Sequence, residues 1–124
     1  NGLLVGKKYK LNLTIVVLNN NGGGIFSYLP QASEGEYFEE LFGTPMDLDF
    51  SHAAKLYEAG YFRVESEEEF ANAVTEAQLR NGLKIIEVMT NREENVANHR
   101  NLWNFVSREM TNNLKGEDLD SSSE

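Results

Sequence analysis

An α/β fold, with a mainly parallel sheet flanked by helices, is predicted from three observations. Two apolar runs rich in β-branched residues, 13–18 (LTIVVL) and 83–89 (LKIIEVM), have the length and composition of strands. A shorter run, 61–64, lies between them. Segments of helical periodicity separate the runs, which is the order of βαβ units. With 124 residues, 40% of them hydrophobic and 25% charged, the chain has the size and composition of one globular domain with a core.

In chain order, residues 1–9 read as the middle of an amphipathic helix without an N-cap. Leu3, Leu4 and Tyr9 are expected to face the sheet, and Lys7, Lys8 and Lys10 to face outward. A capless helix directly before a strand is expected of a fragment cut from a longer protein. The run 13–18 is expected to be buried on both faces, as in a parallel sheet. It leads into Asn19-Asn20-Asn21-Gly22-Gly23-Gly24 and then Ile25-Phe26-Ser27-Tyr28-Leu29-Pro30. Residues 25–29 suit one helical turn, stopped by Pro30, and 31–35 a polar connection. Residues 37–42 form a short amphipathic helix ended by Gly43, with Pro45 barring its return.

Ser51 is expected to cap a helix over 52–58, with Gly60 as its stop. Ser66 and Glu69 have the spacing of a capping box. The helix they open keeps Phe70, Ala73, Val74 and Ala77 on one stripe, with Leu79 to the side, and Asn81-Gly82 ends it. The run 83–89 carries Lys84 and Glu87, is more amphipathic than the first, and is expected nearer a sheet edge. Asn91 and Glu94 have the spacing of a second box, before a helix with Val96, His99, Leu102, Trp103, Val106 and Met110 on or beside one face. Residues 116–124, with four acidic side chains and a serine run, are expected to form a disordered tail.

The net charge of −9 argues against a nucleic-acid partner. The chain has no cysteine, which excludes disulfides and thiolate metal sites and fits a reducing, cytoplasmic setting. No apolar run approaches the roughly 20 residues of a membrane span.

The Asn/Gly loop follows the carboxyl end of a strand, where open α/β sheets bind their ligands. Glycine allows positive φ and close backbone approach. Asparagine and main-chain oxygens are hard donors that suit Mg²⁺, an ion commonly shared with phosphate. On composition alone a flexible polar turn fits equally well. Gly22-x-Gly24-x-x-Ser27 misses the dinucleotide fingerprint at its third glycine, and no Gly-Lys-Ser/Thr follows as a nucleotide P-loop requires. Ser27 lacks the flanking glycines of a hydrolase elbow. His52 and His99 read as surface, capping or packing residues, Glu67-Glu68-Glu69 as a helix-dipole complement, and Arg92 as a helix-entry residue.

A strand ending in Asn-Asn is similar to the second half of the thiamin-diphosphate motif. The fuller series is Asn19-Asn20-Asn21-Gly22-Gly23-Gly24-Ile25-Phe26-Ser27, Phe38-Glu39-Glu40-Leu41-Phe42-Gly43-Thr44, Asp49-Phe50-Ser51-His52-Ala53-Ala54 and Thr90-Asn91-Arg92-Glu93-Glu94-Asn95. It resembles the carboxy-terminal end of a thiamin-diphosphate family, the menaquinone-pathway 2-succinyl-5-enolpyruvyl-6-hydroxy-3-cyclohexene-1-carboxylate synthases. The resemblance covers residues 1–115, which it implies are the carboxy-terminal part of the diphosphate-binding domain.

That resemblance implies thiamin diphosphate and Mg²⁺ (or Mn²⁺) as cofactors. Asn20 would give its side-chain oxygen and Gly22 its main-chain carbonyl to the metal. Asn20, Gly22, Gly23, Ile25 and Phe26 would contact the cofactor, and Ile25, Phe26 and Leu29 would line the substrate pocket, where ordinary core packing is the plainer alternative. The implied reaction joins decarboxylated 2-oxoglutarate to isochorismate, in an intact homodimer or homotetramer. The motif aspartate and the activating glutamate are expected upstream of Asn1, so no catalytic residue is assigned in the chain and no turnover is expected of it alone. Related acetolactate synthase-like or 2-oxoacid decarboxylase fragments fit less well, because of the triple Asn, the triple Gly and Ile25-Phe26-Ser27. A non-catalytic interaction domain of the same fold stays open. The loop is expected to be mobile without its ligands.

Overall fold

A computed structural model describes residues 2–33 and 35–120, the last six of these as main chain only. Two compact units are present, Asn1–Asn91 and Arg92–Glu124. In the first, the helix α1 (Gly2–Lys8) precedes the strand β1 (Leu13–Asn19), followed by 3-10 turns at Ile25–Tyr28 and Pro30–Ser33 and a π-helical turn at Glu39–Gly43. Helix α2 (Phe50–Leu56), strand β2 (Gly60–Val64), helix α3 (Glu67–Leu79) and strand β3 (Leu83–Met89) complete it. The second unit is one helix, α4 (Arg92–Asp120). No helix among the described residues is long and apolar enough to cross a membrane.

The three strands form a parallel sheet in the order β1-β3-β2, as the α/β prediction requires. Strand burial differs from expectation. The central strand is β3, with Leu83–Glu87 buried, whereas β1 occupies an edge and exposes Leu13, Val16 and Leu18. The reason is chemical. Lys84 and Glu87, which read as marks of an edge, are 4% and 3% exposed and hydrogen bonded inside the fold, Lys84 Nζ to the Arg80 carbonyl at 3.0 Å. Charged side chains whose polar atoms are hydrogen bonded are compatible with a central strand.

Partners in the ladder share a face. One face carries Val17, Asn19, Ile85, Glu87, Tyr61 and Arg63, and the other Val16, Leu18, Ile86, Val88, Phe62 and Val64. On the second face the core joins Val64 and Ile86 to Ala73 and Ala77 of α3, with Phe62, Phe70, Val74 and Val88 packed around them. The predicted stripe of α3 is therefore the buried one, and Leu79 is 84% exposed. Ser66 Oγ accepts the Glu69 N–H at 3.2 Å, while Glu69 Oε2 accepts from the Glu65 N–H rather than from that of Ser66.

Helix α1 meets the first face through Gly6: a Cβ there would stand 3.3 Å from Leu83 Cδ1. Leu4 and Tyr9, expected to face the sheet, are exposed instead, because the close approach is made at Gly6, where no side chain intervenes. Asp49, not Ser51, caps α2, accepting the Ser51 N–H at 2.8 Å. The helix ends at Leu56, before left-handed Glu58 (φ 57°) and not at Gly60, which opens β2. Residues 37–42 yield only the π-helical turn, closed by left-handed Thr44 (φ 42°).

In α4 the His99 ring stacks on Trp103 at 6.0 Å and 16°. Leu102, Trp103 and Met110 of its apolar face are exposed. The helix continues through 116–120 of the expected tail, and Ser121–Glu124 lie outside the described residues.

Candidate functional site

All three strands point their carboxyl ends the same way, and the Asn/Gly loop leaves from that end of β1. The structure turns the loop with side chains. Asn19 Oδ1 accepts the Asn21 N–H at 2.9 Å and Asn20 Oδ1 accepts the Gly22 N–H at 3.2 Å. These are two successive Asx turns, the local alternative to a continuing strand that asparagine offers. Asn21 consequently sits in the left-handed region (φ 53°), which asparagine tolerates better than most residues.

A second segment closes over the loop. Gly23 N–H donates to the Gly43 carbonyl at 2.7 Å. Gly22 has φ +147°, and a Cβ on it would lie 2.2 Å from the Gly43 carbonyl oxygen; one on Gly23 would lie 2.8 Å from that of Phe42. The glycines are thus required by the main chain of 42–44, which no side chain could share. Asn21 and Asp47 exchange two hydrogen bonds across the same gap, each 2.8 Å. Protein contacts therefore hold a loop that composition suggested would depend on its ligands for order.

Below the loop, Asn19 is fixed from three sides. Its Nδ2 donates to Glu87 Oε1 at 2.5 Å. Its main-chain carbonyl accepts from Thr90, the N–H at 2.9 Å and the hydroxyl at 3.3 Å. Glu87 also accepts from the Tyr61 hydroxyl. Desolvation, then the hydrogen bond to Glu87 and its charge, push the Tyr61 phenol up from 10.0 to about 12.

Beyond the loop, Ile25 and Phe26 stand on the 3-10 turn with Leu29 after it, all three exposed. Phe26 packs on Phe42 (5.3 Å, 56°), which stacks on Phe38 (6.1 Å, 26°). The expected residues Asn20, Gly22, Gly23, Ile25, Phe26 and Leu29 therefore lie along one continuous stretch at the carboxyl end of β1. His52 stands apart on α2, exposed, its Nδ1 3.9 Å from Asp49 Oδ2. Hydrogen bonds from Ser51 hold the Asp49 carboxyl below its usual value.

The donor chemistry fits one side of a hard-cation site. Asn20 Oδ1 keeps acceptor capacity beyond its turn, and among the described residues no protein donor meets the Gly22 carbonyl. Two neutral oxygens leave most of an octahedral shell to phosphate, water and other groups. Among the described residues no three His, Asp or Glu side chains cluster to hold a metal by themselves.

Sequence reasoning missed Gly43, Asp47, Tyr61, Glu87 and Thr90. A single signal for one of them was available: a carboxylate set between Ile86 and Val88 in the middle of a strand.

Comparison with known proteins gives two results. The model of the family described as "Thiamine pyrophosphate enzyme, C-terminal TPP binding domain" matches residues 1–88. Curated relatives named 2-succinyl-5-enolpyruvyl-6-hydroxy-3-cyclohexene-1-carboxylate synthase are similar over most of the chain. The protein of Listeria monocytogenes serovar 1/2a is 59% identical over 103 residues, 83% of this chain and 18% of the relative. That of Oceanobacillus iheyensis is 56% identical over 106 residues (86% and 18%). That of Bacillus cytotoxicus is 49% identical over 117 residues (94% and 20%). The chain thus spans about a fifth of the length of these relatives.

Proposed function

The chain belongs to the thiamine pyrophosphate enzymes, through their C-terminal TPP-binding domain, and we propose that it supplies one side of a thiamin diphosphate and Mg²⁺ site, with Mn²⁺ able to replace Mg²⁺. The parent enzyme is then a transferase that joins decarboxylated 2-oxoglutarate to isochorismate, the synthase activity for which the similar proteins are named. The observation that carries this reading is the closure of Gly22 and Gly23 onto the carbonyls of 42–44. It holds Asn20 and Gly22 at the carboxyl end of β1 with oxygen donors for a hard cation.

Bound thiamin diphosphate supplies the electron sink for decarboxylation and carbon–carbon bond formation. The chain's own residues bind and enclose. Asn20 Oδ1 and the Gly22 carbonyl take two positions on the metal. Gly23 lies against the cofactor, held in place by its N–H on the Gly43 carbonyl. Ile25, Phe26 and Leu29 exclude water from the reacting end, which strengthens the electrostatics that remain there. The metal's other protein ligand and the group that activates the cofactor come from elsewhere in the parent, a cytoplasmic oligomer of even subunit number. These 124 residues alone do not turn over.

Titration of the full-length parent with thiamin diphosphate and Mg²⁺, with and without Asn20→Ala, tests the reading. Loss of Mg²⁺-dependent cofactor binding in the variant is expected. Unchanged affinity overturns the metal assignment.

A further inference from the structure

We propose that Glu87 is a positioning residue for the metal loop, acting through Asn19 without touching the metal or the cofactor. The inference rests on the functional reading above. Glu87 lies in the middle of the central strand at 3% exposure, with both carboxylate oxygens engaged, one by Asn19 Nδ2 at 2.5 Å and the other by the Tyr61 hydroxyl. Its position follows from register. Glu87 pairs with Val17, and Asn19, two residues on, leans back along the same face.

A carboxylate only accepts hydrogen bonds, so it dictates which end of the Asn19 amide it meets. With Nδ2 held against Glu87, Oδ1 points away and accepts the Asn21 N–H at 2.9 Å. That bond is the first of the two Asx turns. Asn20 lies inside it and opens the second with its own Oδ1, the atom assigned to the metal. An amide rotated by half a turn would place an N–H₂ group where the Asn21 N–H needs an acceptor, and the first turn would be lost. The chain from buried carboxylate to metal donor is therefore Glu87, Asn19, main chain of Asn21, Asn20.

Stability alone gives little reason for a carboxylate here. Burying one is costly, and well-packed apolar replacements of buried polar groups are often neutral or stabilising. Groups that orient metal ligands from behind, by contrast, commonly change metal affinity by about 10- to 100-fold when removed.

The test uses the full-length parent, with Mg²⁺ half-saturation of thiamin diphosphate binding measured by calorimetry and thermal midpoints measured in parallel. The double variant Tyr61→Phe/Glu87→Leu removes the carboxylate and leaves no phenol hydroxyl behind. It leaves Asn19 Nδ2 without its acceptor, so the thermal midpoint is expected to fall, and the Mg²⁺ half-saturation is expected to rise about 10-fold or more. Asn19→Asp sets two carboxylates against each other and is expected to weaken Mg²⁺ binding similarly. Asn19→Asp/Glu87→Gln exchanges donor and acceptor across the pair, keeps Oδ1 for the Asn21 N–H, and is expected to recover the binding. A purely structural role predicts midpoints that move while Mg²⁺ half-saturation stays. Unchanged half-saturation in folded Tyr61→Phe/Glu87→Leu, or no recovery in the exchanged pair, overturns the proposal. If either result comes with binding lost in Asn20→Ala, this inference alone fails. If Asn20→Ala also binds normally, the functional reading itself has failed.

Discussion

Asn21 and Asp47 are joined by two hydrogen bonds of opposite direction. Asn21 Nδ2 donates to Asp47 Oδ1, and the Asp47 N–H donates to Asn21 Oδ1, each at 2.8 Å. Both residues are left-handed, at φ 53° and 47°. The clasp therefore joins two tight bends 26 positions apart and ties the Asn/Gly loop to the segment that follows the π-helical turn.

Asn21→Gly removes both bonds while keeping a residue that accepts positive φ, so it isolates the clasp from backbone strain. The bonds are exposed, and their loss is expected to lower unfolding free energy by about 1 kcal/mol, read by urea denaturation. Asp47→Gly loses only the carboxylate bond, since the other uses the main-chain N–H, and is expected to cost less. Amide exchange at Gly23 is expected to quicken in Asn21→Gly. Equal costs for the two variants would show that the main-chain bond contributes nothing.

Gly22→Ala places a Cβ where the Gly43 carbonyl oxygen stands, 2.2 Å away, at φ +147°. The loop must shift or the 42–44 segment must open. A loss of roughly 1–3 kcal/mol is expected from strain of this kind, together with loss of Mg²⁺-dependent cofactor binding. Gly2→Ala is the control: nothing lies within 4 Å of its added Cβ, and as a helical substitution it is expected to leave the thermal midpoint unchanged or raised. A Gly22→Ala protein that melts and binds normally would mean that the loop does not need the close approach.

Tyr61 gives the fold an alkaline limit. Its phenol is raised from 10.0 to about 12, first by desolvation, then by the hydrogen bond to Glu87 and the charges of Glu87 and Asp49, with Arg63 opposing. The folded state holds this proton more tightly than the unfolded state. The contribution is therefore fully present below pH 10 and is lost between pH 10 and about 12. Tyr61→Phe is expected to flatten that part of the stability profile, and the tyrosinate absorbance difference between the two proteins is expected to report a group titrating near 12. Identical profiles above pH 10 would exclude the coupling.

The fold class and the stripe of α3 were legible in the sequence because each depends on spacing within one segment. The relative burial of β1 and β3 was not. Val16 and Leu18 read as core by composition yet lie on an edge strand, while Lys84 and Glu87 read as surface yet are buried. Composition cannot tell a solvated charge from one whose partner is 68 residues away, as Asn19 is from Glu87. The site divides the same way. Asn20 and the glycines carry their chemistry in their own residue types. Gly43, Asp47 and Thr90 matter through contacts to residues far away in the chain, and nothing in their own segments names those partners.

The contrast between Ile86 and Leu79 tests the packing of α3 on the sheet directly. Ile86 is fully buried in β3 and packs with Ala73, Ala77 and Val64. Replacing it with alanine removes buried methyl groups beneath Ala73 and Ala77, whose side chains are too short to refill the space. Ile86→Ala is expected to cost about 2–5 kcal/mol. Leu79 belongs to the same helix that covers Ile86 but stands 84% exposed, and Leu79→Ala is expected to change stability by no more than about 0.5 kcal/mol. Denaturant midpoints with unchanged slopes would report both values. Comparable losses at the two positions would mean that α3 lies on the sheet by a different face from the one through Ala73 and Ala77.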